Sequence, residues 1–439
     1  MLVHFISLGC DKNLVDSEIM LGILSAAGHT ITDEEQRAEV IVINTCGFIA
    51  EASQESVETI LRMARNKRGS CKALVVTGCM AERYKEEIFK EIPEVDAVVG
   101  VGDFEEISRA IDKVCEGGKH KFVSGRIQPP ADENILKRMV STPPYMAYLK
   151  IAEGCDNRCA YCAIPSIRGP YRSRPLDSLL AEARGLAAGG VRELVLVAQD
   201  TALYGADLGA PALPLLLARL AEIDGLAWLR VMYCYPEHIT DELITELRDN
   251  PKVCRYLDIP VQHSEDAVLK RMKRASSKDG LRGIIGRLRR AMPDIALRTT
   301  LMVGFPGETA GDFSALLDFM AEIQFDRLGV FEYSREDGTE AASMSGQISA
   351  SVKRKRKNAA MRLQMDISAQ KNKHLIAKTM DVIVDGKLPD VYCGRTYRDA
   401  YEVDGMVFFE SAEELMSGEF VTVRVTGASQ YDLTGEILR

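Results

Sequence analysis

The chain of 439 residues is 46% hydrophobic and 27% charged, with a formal net charge of −9. This composition excludes fibrous and intrinsically disordered classes, and the length predicts about three domains. The acidic balance argues against a general nucleic-acid binder, because contact with a phosphate backbone depends on Lys and Arg. No apolar stretch approaches the roughly 18 residues of a membrane span, and no basic leader precedes the first apolar run, so we expect a cytoplasmic protein without membrane contact.

Residues 1–125 alternate short apolar runs with amphipathic stretches, which predicts an α/β domain with a doubly wound parallel sheet. The strands are expected at 2–8, 40–45, 73–78 and 97–100, with helices at 13–27, 50–66, 80–91 and 105–115. Each of the first three strands leads into a cysteine: Cys10, Cys46 and Cys79. If these strands are neighbours, their carboxyl ends place the three thiols on one edge of the sheet.

A second alternating series follows a linker at 126–144, which is rich in proline and polar residues. Across 145–350 the strands are expected at 148–152, 193–198, 228–233, 256–261, 297–303 and 328–333. Six βα units are fewer than the eight of a closed barrel, so the pattern predicts a partial (βα)6 barrel, open at one side. A linking helix at 351–373 contains the run KRKRK, and the short strands of 374–439 predict a small antiparallel β-barrel.

Three cysteines, Cys155, Cys159 and Cys162, lie in one loop after the first barrel strand. Barrel enzymes keep their chemistry at this end of the strands. A structural zinc site normally has four ligands, and the loop contains no fourth Cys or His. A [4Fe-4S] cluster held by three thiolates instead leaves one iron open for a small molecule with amino and carboxylate groups. The alternatives are an incidental zinc loop or buried thiols, and core packing is the alternative for Cys10, Cys46 and Cys79.

The two cysteine trios and several longer segments resemble the methylthiotransferases of the radical S-adenosylmethionine class, over essentially the whole chain. The branch that modifies ribosomal protein S-twelve is the most similar, on the segments IPSIRGPYRSRP (164–175), AQDTALYG (198–205), YCYPEHITDELI (233–244), DIPVQHS (258–264), RTTLMVGFPGE (298–308) and FDRLGVFEYSREDGT (325–339). The resemblance implies that a methylthio group is installed on the β-carbon of an aspartate of that ribosomal protein. It implies two S-adenosylmethionine molecules, one as methyl donor and one as radical source.

The resemblance also implies two [4Fe-4S] clusters and roles for the six cysteines. The cluster at Cys155, Cys159 and Cys162 would generate the radical, and the cluster at Cys10, Cys46 and Cys79 would present the sulfur. We expect further cofactor contacts from residues in the cluster loop or at barrel strand ends, against the alternative of ordinary strand-end side chains: Tyr161, Gln199, Gln262 and Arg298. His238 and His263 are expected to be simple hydrogen-bonding residues.

The small C-terminal barrel resembles a TRAM domain, with an OB-like fold. Residues 374–439 contain six Lys or Arg and twelve Asp or Glu, a net charge of −6, which favours a basic protein partner over RNA. The KRKRK run leaves direct RNA binding open, as a solvated helix face or as a contact with ribosomal RNA in an assembling subunit. An electron donor and a sulfur source are further expected partners. Two other functions remain: a tRNA adenosine methylthiotransferase, or a zinc-containing protein that binds RNA or the ribosome.

Overall fold

The computed structural model describes residues 1–124 and 132–438. Its N-terminal part forms a six-stranded parallel sheet in the order β2-β1-β3-β4-β5-β6. In chain order its elements are β1 (Leu2–Ser7), α1 (Asp11–Ala26), β2 (Thr30–Ile31), β3 (Val40–Thr45), α2 (Ala50–Ala64), β4 (Ala73–Gly78), α3 (Cys79–Arg83), α4 (Lys85–Glu91), β5 (Ala97–Val99), α5 (Ile107–Glu116) and β6 (His120–Phe122).

Strands β3 and β4 of this sheet are buried on both faces, which explains their continuous apolar runs. Val40 and Val42 of β3 face a core that also contains residues of α1 and α5. Ile41 and Ile43, which alternate with them, face a second core containing residues of α2 and α4. Helices therefore cover both faces, and the predicted doubly wound arrangement is confirmed.

Two details of this part differ from the sequence expectation. The helix expected at 80–91 is divided into α3 and α4, because Tyr84 has a non-helical backbone with φ −120° and ψ 27°. Strands β2 and β6, which extend the sheet at its two edges, were not predicted. They contain two and three residues, too few for a strand periodicity to be visible.

The central part contains a second parallel sheet of six strands, in the order β7-β10-β11-β12-β13-β14. Its elements are α6 (Asp132–Leu136), β7 (Met146–Lys150), β8 (Ala152–Glu153), α7 (Ile164–Arg168), β9 (Arg172–Ser173), α8 (Leu176–Ala188), β10 (Glu193–Val197), α9 (Leu213–Ala221), β11 (Trp228–Val231), α10 (Asp241–Asp249), β12 (Val253–Asp258), α11 (Asp266–Arg271), α12 (Lys278–Ala291), β13 (Ala296–Val303), α13 (Ala310–Ile323), β14 (Arg327–Glu332) and α14 (Glu340–Ser343). Its edge strands β7 and β14 are not paired with each other, so the predicted open partial barrel is confirmed.

The predicted linker at 126–144 lies partly outside the described residues, which resume at 132. Its remainder is not a simple connection, because residues 132–136 form α6 and the following Arg138 is buried between two carboxylates. Arg138 pairs with Glu18 of α1 at 3.5 Å and with Glu182 of α8 at 2.5 Å. This segment therefore fastens the N-terminal sheet to the central one.

The C-terminal part begins with α15 (Ala350–Lys373), close to the predicted linking helix, and continues into a closed barrel. The barrel has the order β15-β16-β17-β19-β18, from β15 (Thr379–Lys387), β16 (Tyr392–Arg395), β17 (Val407–Glu410), β18 (Phe420–Ala428) and β19 (Leu433–Ile437). Four strand pairs are antiparallel as predicted, whereas β17 and β19 are parallel. The reason is that β18 lies between them in sequence and runs in the opposite direction. Strand β19 is antiparallel to β18 and is therefore parallel to β17.

None of the helices in residues 1–124 and 132–438 is by itself long and apolar enough to cross a membrane. One pair of helical segments, Thr201–Leu208 and Leu213–Ala221, has the length and composition only when taken together, and it is bent by 106°.

Candidate active site

The first cysteine trio lies along one edge of the N-terminal sheet. Strand β3 pairs with both β1 and β4, so Cys10, Cys46 and Cys79 follow three neighbouring parallel strands. Cys10 precedes the first residue of α1, and Cys79 is the first residue of α3. The expectation that the thiols share an edge is therefore confirmed by the strand order.

Glycines let the three cysteine loops approach one another closely. A Cβ on Gly9 would lie 2.9 Å from Cys46 Cβ, so the Cys10 loop touches the Cys46 loop there. Gly78 has φ +92°, and a Cβ there would lie 2.2 Å from the Asn44 side-chain oxygen and 2.5 Å from the Thr45 carbonyl oxygen. Only a residue without a side chain fits this close contact between β3 and β4.

The second trio lies in the loop between β8 and α7, and main-chain hydrogen bonds hold that loop in place. Cys155 N donates to Gly169 O at 3.1 Å, and Cys162 N donates to Cys159 O at 3.0 Å. Ala160 N donates to Met272 O at 2.9 Å, which ties the loop to the end of α11. Cys155 and Cys159 are buried, so the loop forms part of the interior.

Burial makes several of these thiols hard to ionise without a bound cation. It raises the pKa of Cys155 to about 11, and those of Cys162 and Cys79 to about 12. Within each trio the neighbouring sulfurs raise the pKa further, which places them close to one another. Metal binding to such thiols supplies the positive charge that displaces their protons.

The cysteines of both trios are available as metal ligands. All eleven cysteines are free. In the described part of the chain, no group of three or more His, Cys, Asp or Glu side chains is arranged around one metal ion. The donor set, three free thiols in each trio, is the one that holds a [4Fe-4S] cluster with one iron left open.

The cysteine edge of the N-terminal sheet lies over the carboxyl ends of the barrel strands. Cys79 packs against Ala163 and Ile167, directly after the second trio in the chain. Tyr233, just beyond β11, donates its hydroxyl to Asp11 at 3.3 Å, next to Cys10. Lys12 Nζ lies 2.9 Å from the centroid of the Tyr233 ring.

A further ion pair joins α3 to the segment after β14 in the same interface. Arg83 of α3 pairs with Glu336, beyond β14, at 2.9 Å and also donates to Gly47 O at 2.8 Å, beside Cys46. The two trios are thus held on opposing elements of one tightly packed interface.

Two of the predicted cofactor-binding residues carry buried polar atoms with no hydrogen-bond partner among the described residues. These atoms are the hydroxyl of Tyr161 and the amide oxygen of Gln199. Tyr161 packs edge-on against Phe305, with ring centroids 6.4 Å apart. Because buried polar groups are normally paired, these two atoms are suited to a ligand.

The other two predicted contacts have different surroundings. Gln262 lies just beyond β12 with φ 67°, as Tyr233 lies beyond β11 with φ 56°. Such backbone strain in non-glycine residues is concentrated at functional sites. The Arg298 guanidinium is already paired, to Asp258 at 2.8 Å and to Asp404 of the C-terminal barrel at 3.6 Å. The role of Arg298 in cofactor binding stays a prediction.

The structure also shows site residues that the sequence analysis did not select. Asp200, fully buried after β10, accepts from Asn157 of the cysteine loop at 3.3 Å and pairs with His238 at 2.8 Å. This hydrogen bond raises the pKa of His238. His263, by contrast, is fully buried, and burial lowers its pKa to about 3, so it is a neutral hydrogen-bonding residue.

Tyr235 and Arg274 lie next to the cysteine loop. The Tyr235 hydroxyl lies 4.0 Å from Cys159 Sγ. The Arg274 guanidinium lies 4.0 Å from the centroid of the Tyr235 ring, and its Nε and Nη1 have no hydrogen-bond partner among the described residues. Arg274 Nη2 pairs with Glu237 at 3.6 Å and donates to Pro260 O at 2.9 Å, so Arg274 places a paired positive charge near the loop. No local motif marks it, because α11 and the stretch after it resemble any amphipathic segment.

Three family models match the chain. The uncharacterized protein family UPF0004 matches residues 2–100, the radical SAM superfamily matches 149–320, and the TRAM domain matches 376–438. Curated relatives match at full length. The ribosomal protein uS12 methylthiotransferase RimO of Pelotomaculum thermopropionicum is 51% identical, over 99% of this chain and 98% of the relative.

The RimO proteins of Acetivibrio thermocellus and Geobacter sulfurreducens are 50% and 51% identical, with the same two coverages of 99% and 98%. This chain belongs to the RimO family. Since the whole length matches, the family includes both the cysteine-bearing N-terminal sheet and the C-terminal barrel.

Solved structures share the fold at low sequence identity. The radical S-adenosylmethionine methyltransferase TsrM from Kitasatospora setae, with cobalamin and a [4Fe-4S] cluster bound, has a TM-score of 0.56 at 16% identity. That match covers 75% of this chain and 72% of the TsrM chain. The cobalamin-dependent enzyme OxsB, with S-adenosylmethionine bound, has a TM-score of 0.51 at 12% identity, covering 83% and 56%. These similarities show the fold alone.

Proposed function

We propose that this protein transfers a methylthio group to the β-carbon of an aspartate in ribosomal protein uS12. It uses two S-adenosylmethionine molecules, one as methyl donor and one as radical source. The observation that carries the proposal is the meeting of two cysteine trios at one interface, Cys79 packing directly beside the helix that follows Cys162. Membership of the RimO family supplies the substrate.

The six cysteines form two sites with different proposed roles. Cys155, Cys159 and Cys162 would hold one [4Fe-4S] cluster, and Cys10, Cys46 and Cys79 the other. When bound, the clusters supply the electron that cleaves S-adenosylmethionine and an open iron for the transferred sulfur. The chain surrounds the Cys155, Cys159 and Cys162 site with buried aromatic rings, which exclude water, and offers the buried hydroxyl of Tyr161 and the unpaired amide oxygen of Gln199 to the cofactor. Gln262 and Arg298 are proposed as further cofactor contacts.

The three parts of the chain take separate tasks in this proposal. Residues 1–125 carry the sulfur-presenting site, 145–350 carry the radical site, and 374–439 recruit the substrate. Of the basic residues in the last segment, Arg395 and Arg398 are buried in ion pairs with Glu193 and Asp326. They cannot contact phosphates. Three acidic residues of the segment, Asp385, Asp399 and Asp404, are buried in ion pairs as well, so the exposed barrel keeps an excess of acidic residues. An acidic surface attracts a basic ribosomal protein and repels RNA.

The test is a reaction under anaerobic conditions with purified uS12, S-adenosylmethionine, sulfide and a strong reductant. We expect the aspartate-containing peptide of uS12 to gain one methylthio group in place of hydrogen, measured by mass spectrometry. Total tRNA incubated in parallel should show no methylthiolated adenosine. Modified tRNA with unchanged uS12 would contradict the substrate, and a colourless, zinc-containing protein would contradict the chemistry.

The electron donor, the sulfur source and the form of the substrate are proposed partners of the same reaction. Comparing free uS12 with intact small ribosomal subunits in that assay distinguishes the two forms of substrate. We expect both to be modified if the acidic barrel binds the protein alone, because it then needs no RNA contact.

A further inference from the structure

A network of four buried charges lies where the N-terminal sheet meets the cysteine loop. Arg168 of α7 donates to both oxygens of Glu153, at 2.9 and 3.0 Å, and to Asp16 of α1 at 3.1 Å. Lys150 of β7 pairs with the same two carboxylates, at 2.8 Å to Glu153. The Arg168 side chain is 1% exposed. Two cations and two anions thus balance one another inside the protein, across the boundary between the two parts.

Arg168 also lies beside the first cysteine trio. The preceding residue, Ile167, packs against Cys79. The Arg168 guanidinium lies beside the Cys79 thiol. Its Nη2 reaches Asn13 Oδ1 at 3.3 Å, three residues beyond Cys10. A side chain six positions after Cys162 therefore faces the thiols of the other trio.

We propose that Arg168 is a positioning residue that couples the two cluster sites: it fixes the N-terminal cysteine edge against the radical loop and holds a positive charge beside the first cluster. This inference rests on the proposed function. It deepens that function, because transfer requires the sulfur-presenting site and the radical site to keep one relative placement.

The charge has a predictable effect on the first cluster. A buried cation in a low-dielectric interior stabilises the more negative, reduced form of a neighbouring cluster more than the oxidised form. Removing it lowers the midpoint potential of the cluster. Arginine suits the position because one nitrogen of its planar fork, Nη1, contacts Glu153 while the other, Nη2, reaches Asp16 and Asn13, which a single lysine ammonium does not do.

The test uses Arg168→Gln and Arg168→Lys, with Arg230→Gln as the matched control. Arg230 is equally buried and pairs with Glu193 at 2.7 Å, but it lies at the boundary with the C-terminal barrel, where it donates to Tyr397 O. Two quantities are measured. The first is the midpoint potential of the first cluster, by redox titration followed by electron paramagnetic resonance, in protein whose second trio is changed to Ala. The second is the ratio of deoxyadenosine formed to uS12 methylthiolated, in protein with both trios intact.

We expect Arg168→Gln to shift the midpoint potential to a more negative value and to raise the ratio at least tenfold, with iron content unchanged. Arg168→Lys keeps the positive charge, so the midpoint potential of the first cluster should change little. The ratio should still rise severalfold, because the planar fork of arginine is lost. Arg230→Gln should change neither quantity. If Arg168→Gln fails to fold, Arg168→Lys decides the question through the ratio.

An unchanged potential and ratio in both Arg168 variants, or the same change in Arg230→Gln, would overturn the inference. The two proposals fail in different ways. If the unsubstituted enzyme forms no methylthiolated uS12, the proposed function is wrong, whereas the potential measured on the first cluster still decides the role of Arg168.

Discussion

Cys159 and its neighbours in the loop are predicted to bind the cluster that cleaves S-adenosylmethionine. Changing Cys159 to Ala removes one of three ligands, and the loop contains no other cysteine to replace it. We expect Cys159→Ala to reduce deoxyadenosine formation to background, measured by chromatography after anaerobic reaction with dithionite. Cys234→Ala is the control, because this fully buried thiol belongs to neither trio. Continued deoxyadenosine formation by Cys159→Ala would remove the loop from the radical step.

Cys46 is expected to have a different role, because it belongs to the sulfur-presenting site. The variant Cys46→Ala should still cleave S-adenosylmethionine at close to the rate of the unsubstituted protein, since the radical loop is intact. Methylthiolated uS12 should fall below detection by mass spectrometry. If this variant still formed product, Cys46 would not present sulfur.

At the residue scale, the sequence identified the cysteines but not their neighbours. The short spacing within 155–162 and the position of Cys10, Cys46 and Cys79 at strand ends are local signals, visible in one chain. Arg168 and Asp200 act through contacts between residues far apart in sequence, such as Arg168 with Asp16. Both lie in segments that resemble the family, 164–175 and 198–205, but their partners depend on the assembled fold, so the sequence alone does not show what they contact.

At the scale of elements, Gly78 connects β4 to α3 in the site of Cys10, Cys46 and Cys79, where β4 is in close contact with β3. We expect Gly78→Ala to destabilise the protein by roughly 2–4 kcal/mol, about 1 kcal/mol for the positive φ and the rest for the clash with β3. The iron content of the site of Cys10, Cys46 and Cys79 should also decrease, because Cys79 is the next residue after Gly78. Urea unfolding and iron analysis provide the measurements.

Gly28→Ala is the control for the backbone conformation alone. Gly28 has φ +83°, and a Cβ there would meet nothing within 4 Å. This variant should lose only about 1 kcal/mol of unfolding free energy and keep its iron. Equal losses in the two variants would show that the contact between β3 and β4 does not shape the site.

Some secondary-structure elements of this protein can be predicted from the sequence, and others cannot. Strands β3 and β4 are buried on both faces, and their six apolar or small residues stand out against the helices around them. Helix α6 falls within the predicted linker, because its five residues show no clear period and follow prolines. It forms because the neighbouring Arg138 is held by carboxylates of α1 and α8, a contact that depends on the assembled fold.

For the whole molecule, buried ion pairs join the three parts, and their carboxylates make stability depend on pH. Neighbouring arginines hold the pKa values of Glu153, Glu193 and Asp326 below the usual range, and burial acts against this. A carboxylate with a lowered folded-state pKa stabilises the fold above its unfolded pKa, about 4, and loses this contribution as the pH falls further.

We therefore expect the melting temperature to change little between pH 7 and 5 and to fall steeply below about pH 4.5. Scanning calorimetry of the iron-free protein measures this without interference from cluster loss. Arg395→Met, which leaves Glu193 and Asp385 without one partner, should lower the melting temperature at pH 7 and flatten the acid dependence. A steady melting temperature down to pH 3 would contradict the proposed contribution of these pairs.

Two cluster sites, each held by three cysteines, are the central prediction for this protein. The decisive measurement is iron and sulfide analysis of the anaerobically reconstituted protein and of two triple variants, one with Cys10, Cys46 and Cys79 changed to Ala and one with Cys155, Cys159 and Cys162 changed to Ala. We predict about eight iron atoms per chain in the unsubstituted protein and about four in each triple variant. Zinc in place of iron, or an iron content that either triple variant leaves unchanged, would contradict the account.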